Sequence, residues 1–487
     1  RNDALNKAAY ALGQLVASGD LEKTDVERHL YDAAITLGLD NDPGCGVDGI
    51  WKTIKSGLSA GMKKPRQIKL LPKAQPNAIP SFLLTEDASD EGNAQCVYQV
   101  YGNLFLFSEA LGWLHYSGTH WESENAEADL ERKIVEVLQA RREEAVKFSR
   151  EPIIAAAKPS ARHVGDCKKN FRSLVMATAS EFDNDPNLLN CLNGVIDLRT
   201  GQLLPHIAHQ RFTYCVPVEY DPDVDTTEWE NFLYDVSGQS QEILEYLQMA
   251  VGYSITGYTS EECLFYIHGP TRAGKGTFTE TLLALLPKPL AVETDFNTFT
   301  RQRDDANNFD LAPLRPARLV IASESNKYQT LNSGKIKLLT GGNEIYCAFK
   351  HRTHFSYRPQ YGVWLVSNHP VNADVDDDAV WYRLRVIEFP KSFADHEDKQ
   401  LKARMKSPQN LKSVLAWAVA GAVKWFCSPV GMTTPTVIQS ITRRHRADLD
   451  FVQAWLDECC EIAPTHWTAN DEVYKSYSDW CKENGVE

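Results

Sequence analysis

The stretch Gly269-Pro-Thr-Arg-Ala-Gly-Lys-Gly-Thr277 constrains this chain more than any other, because it joins two segments of opposite periodicity. Before it runs Cys263-Leu-Phe-Tyr-Ile-His268, an apolar strand pattern, and after it Phe278 to Leu286 reads as a helix. A glycine loop passing from strand to helix is a phosphate cradle. Gly269 and Gly274 let the backbone curl so that its N–H groups converge, the helix N-terminus adds positive potential, and Lys275 reaches toward phosphate oxygens. Pro270, Thr271, Arg272 and Ala273 complete the turn. Gly276 stands where a Ser or Thr commonly gives its hydroxyl to Mg²⁺, and the hydroxyl follows at Thr277. Such a loop belongs to parallel α/β folds, so the spacing predicts an α/β core with the loop at its heart.

At 487 residues the chain is too long for one core, and 43 % hydrophobic with 24 % charged residues are globular proportions. The most apolar run, Leu415 to Val423, is too short to span a bilayer, which predicts no membrane association. Eleven scattered cysteines without a Cys-x-x-Cys pair read as reduced thiols. A net charge of −14 argues against a surface that coats nucleic acid, yet leaves room for a basic channel built from clusters such as Lys335/Lys337 and Lys350/Arg352.

Composition divides the chain into five parts. Residues 1–65 carry apolar positions at helical spacing, and 66–93 is proline-rich and then acidic, which reads as a linker. Residues 94–225 mix strand-like runs (Asn103 to Phe107, Leu111 to Tyr116) with a helical run, Ala128 to Phe148, as an α+β domain. The loop domain occupies 226–395, and 396–487 has the spacing of a helical or winged-helix segment. Within the loop domain, Arg318-Leu-Val-Ile-Ala-Ser-Glu324 is an apolar strand ending in a carboxylate suited to hold a metal and polarise water. A further strand, Tyr361 to Ser367, ends in Asn368, an amide able to orient water.

These motifs, together with Lys337-Leu-Leu-Thr-Gly-Gly-Asn343, Phe355-Ser-Tyr-Arg-Pro359, Ser367-Asn-His-Pro370 and Trp381-Tyr-Arg-Leu-Arg-Val-Ile-Glu-Phe389, occur in the order found in superfamily 3 helicases. The chain resembles the helicase portion of phage, plasmid and poxvirus primase-helicases, and Leu189 to Leu198 resembles the domain preceding the helicase there. The resemblance implies an AAA+-like P-loop ATPase that uses ATP and Mg²⁺. It implies Lys275 on phosphate, Glu324 on metal and water, Asn368 as sensor, and Arg383 as a finger reaching a neighbouring subunit, with Arg385 as the alternative; Thr277, one residue past the usual place, is this chain's own candidate for the hydroxyl on the metal. A hairpin before the sensor strand would carry Lys350 and His351 onto DNA, with Lys335 and Lys337 as further DNA contacts or as solvated positions on the preceding helix. The expected assembly is a hexameric ring on single-stranded and forked DNA, in the bacterial host cytoplasm if phage or plasmid encoded, with a primase-polymerase part upstream of Arg1. Two other readings stay open: an ATP-dependent origin-binding initiator that does not unwind, and a nucleotide kinase, whose loop is similar but lies near the start of the chain.

Overall fold

Lys275, the residue that carries the phosphate reading, sits where a buried strand turns into a helix, and the rest of the sheet is arranged around that turn. The computed structural model describes residues 2–17, 23–36, 39, 46–64, 81–300, 308–323, 329–348, 355–370, 372–396 and 398–484. The chain forms two units, Arg1–Ser81 and Phe82–Glu487. In the first, helices Asn2–Ala17, Lys23–Thr36 and Gly46–Met62 bury Leu5, Ala9, Val26, Leu30, Ala34, Ile50, Ile54 and Leu58 among themselves.

The second unit opens with mixed α and β structure. Strands Phe105–Ser108, Gly112–Tyr116 and Trp121–Glu122 form an antiparallel sheet beside the long helix Ala126–Lys147, and Leu188–Cys191, Gly194–Asp197 and Gln202–Leu204 form another. The acidic half of the segment read as a linker is ordered. Residues 66–80 lie outside the described residues, but Phe82, Leu83 and Leu84 pack into the core under the long helix, and Ser89 caps a helix, Asp90–Tyr101, by accepting from Gly92 N. The fully buried Arg141 organises this stretch, donating to Leu83 O (2.9 Å), Glu86 O (2.6 Å), Asp87 O (2.7 Å) and Asn93 Oδ1 (2.7 Å). Acidic residues in a first helical turn favour the helix dipole, so composition alone misread a capped helix start.

The centre of the unit is a five-stranded parallel sheet: β1 (Leu264–His268), β2 (Ala291–Asp295), β3 (Leu319–Ser323), β4 (Gly362–Ser367) and β5 (Leu384–Glu388), in the spatial order β5-β1-β4-β3-β2. Every residue of β4 is buried, as expected for a strand covered on both faces. The helices Gln241–Thr256 and Pro408–Cys427 pack together, with Gln248 Nε2 donating to Trp417 O at 3.1 Å. Beneath the loop, Trp229, Phe278, Trp364 and Trp417 form a chain of ring contacts with centroids 5.4–6.1 Å apart. One core therefore runs from Leu189 to Ile438, across the boundaries that composition suggests near 225 and 395. Beyond β5 the described residues are helical, ending with Thr436–Ala447, Phe451–Cys459 and Asn470–Glu483, and contain no strand that would form a wing.

Candidate phosphate-binding site

β1 delivers His268 to the carboxyl edge of the sheet, the edge at which parallel α/β sheets bind ligands. At Gly269 the chain passes so close to the residue after β5 that a Cβ would lie 2.1 Å from Phe389 O. Five residues on, Gly274 adopts φ +91°, a left-handed conformation, and becomes the N-cap of the helix Lys275–Leu285. A side chain there would also meet Val236 Cγ1 at 2.5 Å. The loop is braced from the far side, where Phe393 N donates to Arg272 O (3.0 Å) and Ser392 Oγ to Thr271 O (2.9 Å).

Lys275 is buried, and its Nζ donates to Gly269 O (2.6 Å) and Pro270 O (2.7 Å), so the ammonium folds back over the loop. Burial lowers its pKa to about 8. A cation whose partners among the described residues are carbonyl dipoles is under-neutralised, and an anion placed in the loop would supply the missing charge. Thr277 is buried in the first helical turn, whereas Gly276 is exposed.

Register fixes what shares this edge. His268 pairs with Ser367, the last residue of β4, so the exposed Asn368 emerges beside the loop. His369 N donates to Ser367 Oγ (2.8 Å) and Tyr266 OH to His369 O (3.0 Å), which hold the turn after Asn368. β3 ends at the same edge, with Ser323 opposite Val366. Glu324 follows it in sequence but lies outside the described residues, as do Lys350 and His351. The segments bracketing those two, Ile345–Cys347 and Phe355–Tyr357, do form an antiparallel ladder.

Arg383 lies at the opposite edge. It ends the helix Asp378–Arg383 rather than sharing a strand face with Arg385, which is the second residue of β5. Leu384 pairs with Leu264 at the start of β1, so Arg383 is a full strand, roughly 15 Å, from the loop of its own chain. Its Nη2 donates to Glu262 (2.7 Å) and its Nη1 to Ala379 O (3.2 Å). The two lysines read as DNA contacts are ion-paired. Lys335 is buried 3.5 Å from Asp310, and Lys337 Nζ lies 3.0 Å from Asp377, the N-cap of the Arg383 helix. That hydrogen bond holds the Asp377 carboxyl below its usual range. The solvated-helix reading fails for Lys335 because burial is its defining feature.

Sequence reasoning missed a cluster at the foot of the loop. Glu388, the last residue of β5, accepts from Arg444 and lies 3.1 Å from His445 Nε2 and 3.9 Å from His268 Nδ1. These two histidines, and then Arg444, hold the Glu388 carboxyl far below its usual range against the opposing effect of burial. The three ligand-type atoms lie within 4.8 Å of one another, but the Arg444 guanidinium already neutralises the carboxylate, and the group reads as a clamp fastening the helix Thr436–Ala447 to the sheet. Nothing local in the sequence signals it, since its members are at least 56 residues apart except for the Arg444-His445 pair.

Residues 94–238 match the family model described as D5 N terminal like, and 267–383 match a family of unknown function, DUF5906. The helicase-named protein L207/L206 of Acanthamoeba polyphaga mimivirus is 26 % identical over 259 residues, 49 % of this chain and 27 % of that protein. The helicase-named 022R of Frog virus 3 (isolate Goorha) is 24 % identical over 266 residues, 49 % of this chain and 26 % of that protein. Primase D5 of Fowlpox virus (strain NVSL) is 25 % identical over 248 residues, 47 % of this chain and 30 % of that protein. The chain thus spans less than a third of the length of these relatives. Among solved structures, the A form of the apo NrS-1 C-terminal region aligns with a TM-score of 0.46 at 11 % identity, covering 78 % of this chain and 83 % of that one. No described helix is long and apolar enough to cross a membrane.

Proposed function

We propose that this chain, which belongs to the D5-like primase-helicase family, is an ATP-driven DNA-unwinding portion of such a protein, with an AAA+-like P-loop core. The observation that carries the reading is the turn from β1 into the helix Lys275–Leu285, with Gly274 left-handed and a buried Lys275 whose ammonium donates to the Gly269 and Pro270 carbonyls. Support comes from both glycines, each at a position where a Cβ would collide with the chain's own atoms, so that the loop keeps the tight backbone path on which phosphate binding by N–H groups depends.

In this reading Lys275 leaves Gly269 O and Pro270 O and moves its ammonium onto the β/γ-phosphates. Asn368, one strand away, orients the attacking water, and Glu324 takes part in polarising it. Magnesium, when bound, neutralises phosphate charge; the hydroxyl of Thr277 and the carboxylate of Glu324 are oxygen donors of the kind that ion takes, and would hold it. Arg383 serves a neighbouring subunit, because within one chain it is a strand's length from the loop. A finger delivered in trans makes hydrolysis depend on assembly, which suits a hexameric ring drawing single-stranded DNA through its centre and excluding the other strand at a fork. Lys350 and His351, which fall in sequence between the two strands of the ladder Ile345–Cys347 with Phe355–Tyr357, would grip phosphate and sugar without reading sequence.

Mixing two inactive variants tests the site and its assembly together. Lys275→Ala removes the phosphate cation and Arg383→Ala the finger, so each alone should lower ATP hydrolysis at least about a hundredfold. A mixture should regain activity, since some interfaces then pair an intact Lys275 with an intact Arg383. Failure of the mixture to exceed the sum of its parts would contradict a finger acting in trans.

A further inference from the structure

The exposed Gly276 leaves open the place in the first helical turn where loops of this kind commonly carry a hydroxyl, and another group of this chain stands beside it. A Cβ at Gly276 would lie 3.5 Å from Lys402 Nζ and 3.7 Å from Glu280 Oε1. Lys402 belongs to the helix Leu401–Met405, which follows the sheet by more than a dozen residues. Its position is set by its neighbours: Met405 is buried in the core with Leu401 against it, and Arg404 pairs with Glu228 (2.7 Å) and Asp398 (2.9 Å).

Lys402 donates to Glu280 Oε1, and Lys406 donates to Glu280 Oε2 at 3.0 Å. Burial tends to raise the Glu280 carboxyl, but the two ammonium groups outweigh it and keep its pKa below the usual value. One carboxylate facing two ammoniums leaves one positive charge at the first turn of the loop helix. The Lys402 pair is solvent-accessible, with side chains 53 % and 38 % exposed, and such pairs are worth less than about 1 kcal/mol, so Glu280 holds Lys402 only weakly.

We propose that Lys402 is a second phosphate-binding cation of this site, standing beside the place left by the missing hydroxyl at Gly276 and exchanging Glu280 for a phosphate oxygen when a nucleoside triphosphate binds. The proposal rests on the nucleotide reading of the loop given above. It also gives the segment after β5 a direct stake in nucleotide state, because the helix that carries Lys402 is anchored to the same core as the sheet. Lys406 supplies the internal control, since it pairs with the other oxygen of Glu280 and is absent from the surroundings of Gly276.

Titration of the whole chain with a fluorescent ATP analogue tests this, using Lys402→Ala, Lys402→Arg, Lys406→Ala and Lys275→Ala. Losing a charge-assisted bond to phosphate should weaken binding about tenfold in Lys402→Ala, with Lys402→Arg recovering most of the loss and Lys406→Ala staying within about twofold of the parent. Equal affinity in Lys402→Ala and Lys406→Ala, with Lys275→Ala strongly weakened, would overturn the role of Lys402 while leaving the loop intact as the nucleotide site. Unchanged binding in Lys275→Ala would overturn both.

Discussion

Lys275 was legible from sequence because everything that defines it is local: the glycines at 269 and 274, the strand before and the helix after lie within about twenty residues. What the sequence did not show is its protonation. Burial brings its pKa down to about 8 from the usual lysine value of 10.5, so above about pH 8 the ligand-free lysine increasingly lacks its proton. A polyanion favours the charged form and raises that pKa. Nucleotide affinity should therefore be flat with respect to this group below about pH 8 and fall as pH rises beyond it, with proton uptake on binding at pH 9. Calorimetry in buffers of different ionisation enthalpy measures the uptake directly, and Lys275→Arg, charged throughout, should show none. For folding the sign is opposite: between about 8 and 10.5 the unfolded chain holds more protons, so this group makes the fold more stable as pH rises. Arg383 shows the limit of residue-level reading. Its motif was visible, but that it faces Glu262 at the amino edge of the sheet follows only from the parallel register of β5 with β1.

At the scale of elements, periodicity located the strands after residue 103 and the helix Ala126–Lys147 to within a few residues, because each shows its own burial pattern. The stretch 81–93 failed for the opposite reason: its order comes from a residue some fifty positions away. Arg141 meets three carbonyls and Asn93 in the interior, an arrangement no local pattern records. Arg141→Ala would leave Leu83 O and Asn93 Oδ1 buried without that donor and open a cavity, at a cost of roughly 3 kcal/mol. Chemical denaturation should show that loss, and limited proteolysis should then cut between Phe82 and Ser89 well before the sheet domain. Unchanged stability and protection would mean that the apolar contacts of Phe82, Leu83 and Leu84 alone hold the segment. The clamp of Glu388 with Arg444 and His445 was invisible on the same grounds, its partners being 56 and 57 residues distant.

For the whole molecule, composition and spacing implied separable parts, whereas the described residues from Phe82 onward share one unit, with Trp229, Phe278, Trp364 and Trp417 joining the helix Thr227–Val236, the loop helix, the sheet and the helix Pro408–Cys427. The loop helix is thereby packed against elements on both sides of it in sequence. The Arg383 edge and the loop edge lie on opposite ends of the sheet, so the proposed finger would have to act on the loop of another subunit. The most direct test of this account is unwinding of a fluorescently labelled forked DNA with ATP and Mg²⁺, run beside the Lys275→Ala variant. Strand separation by the parent chain and none by the variant is the predicted result. ATP hydrolysis and assembly on DNA without separation would contradict the motor and favour an ATP-dependent initiator.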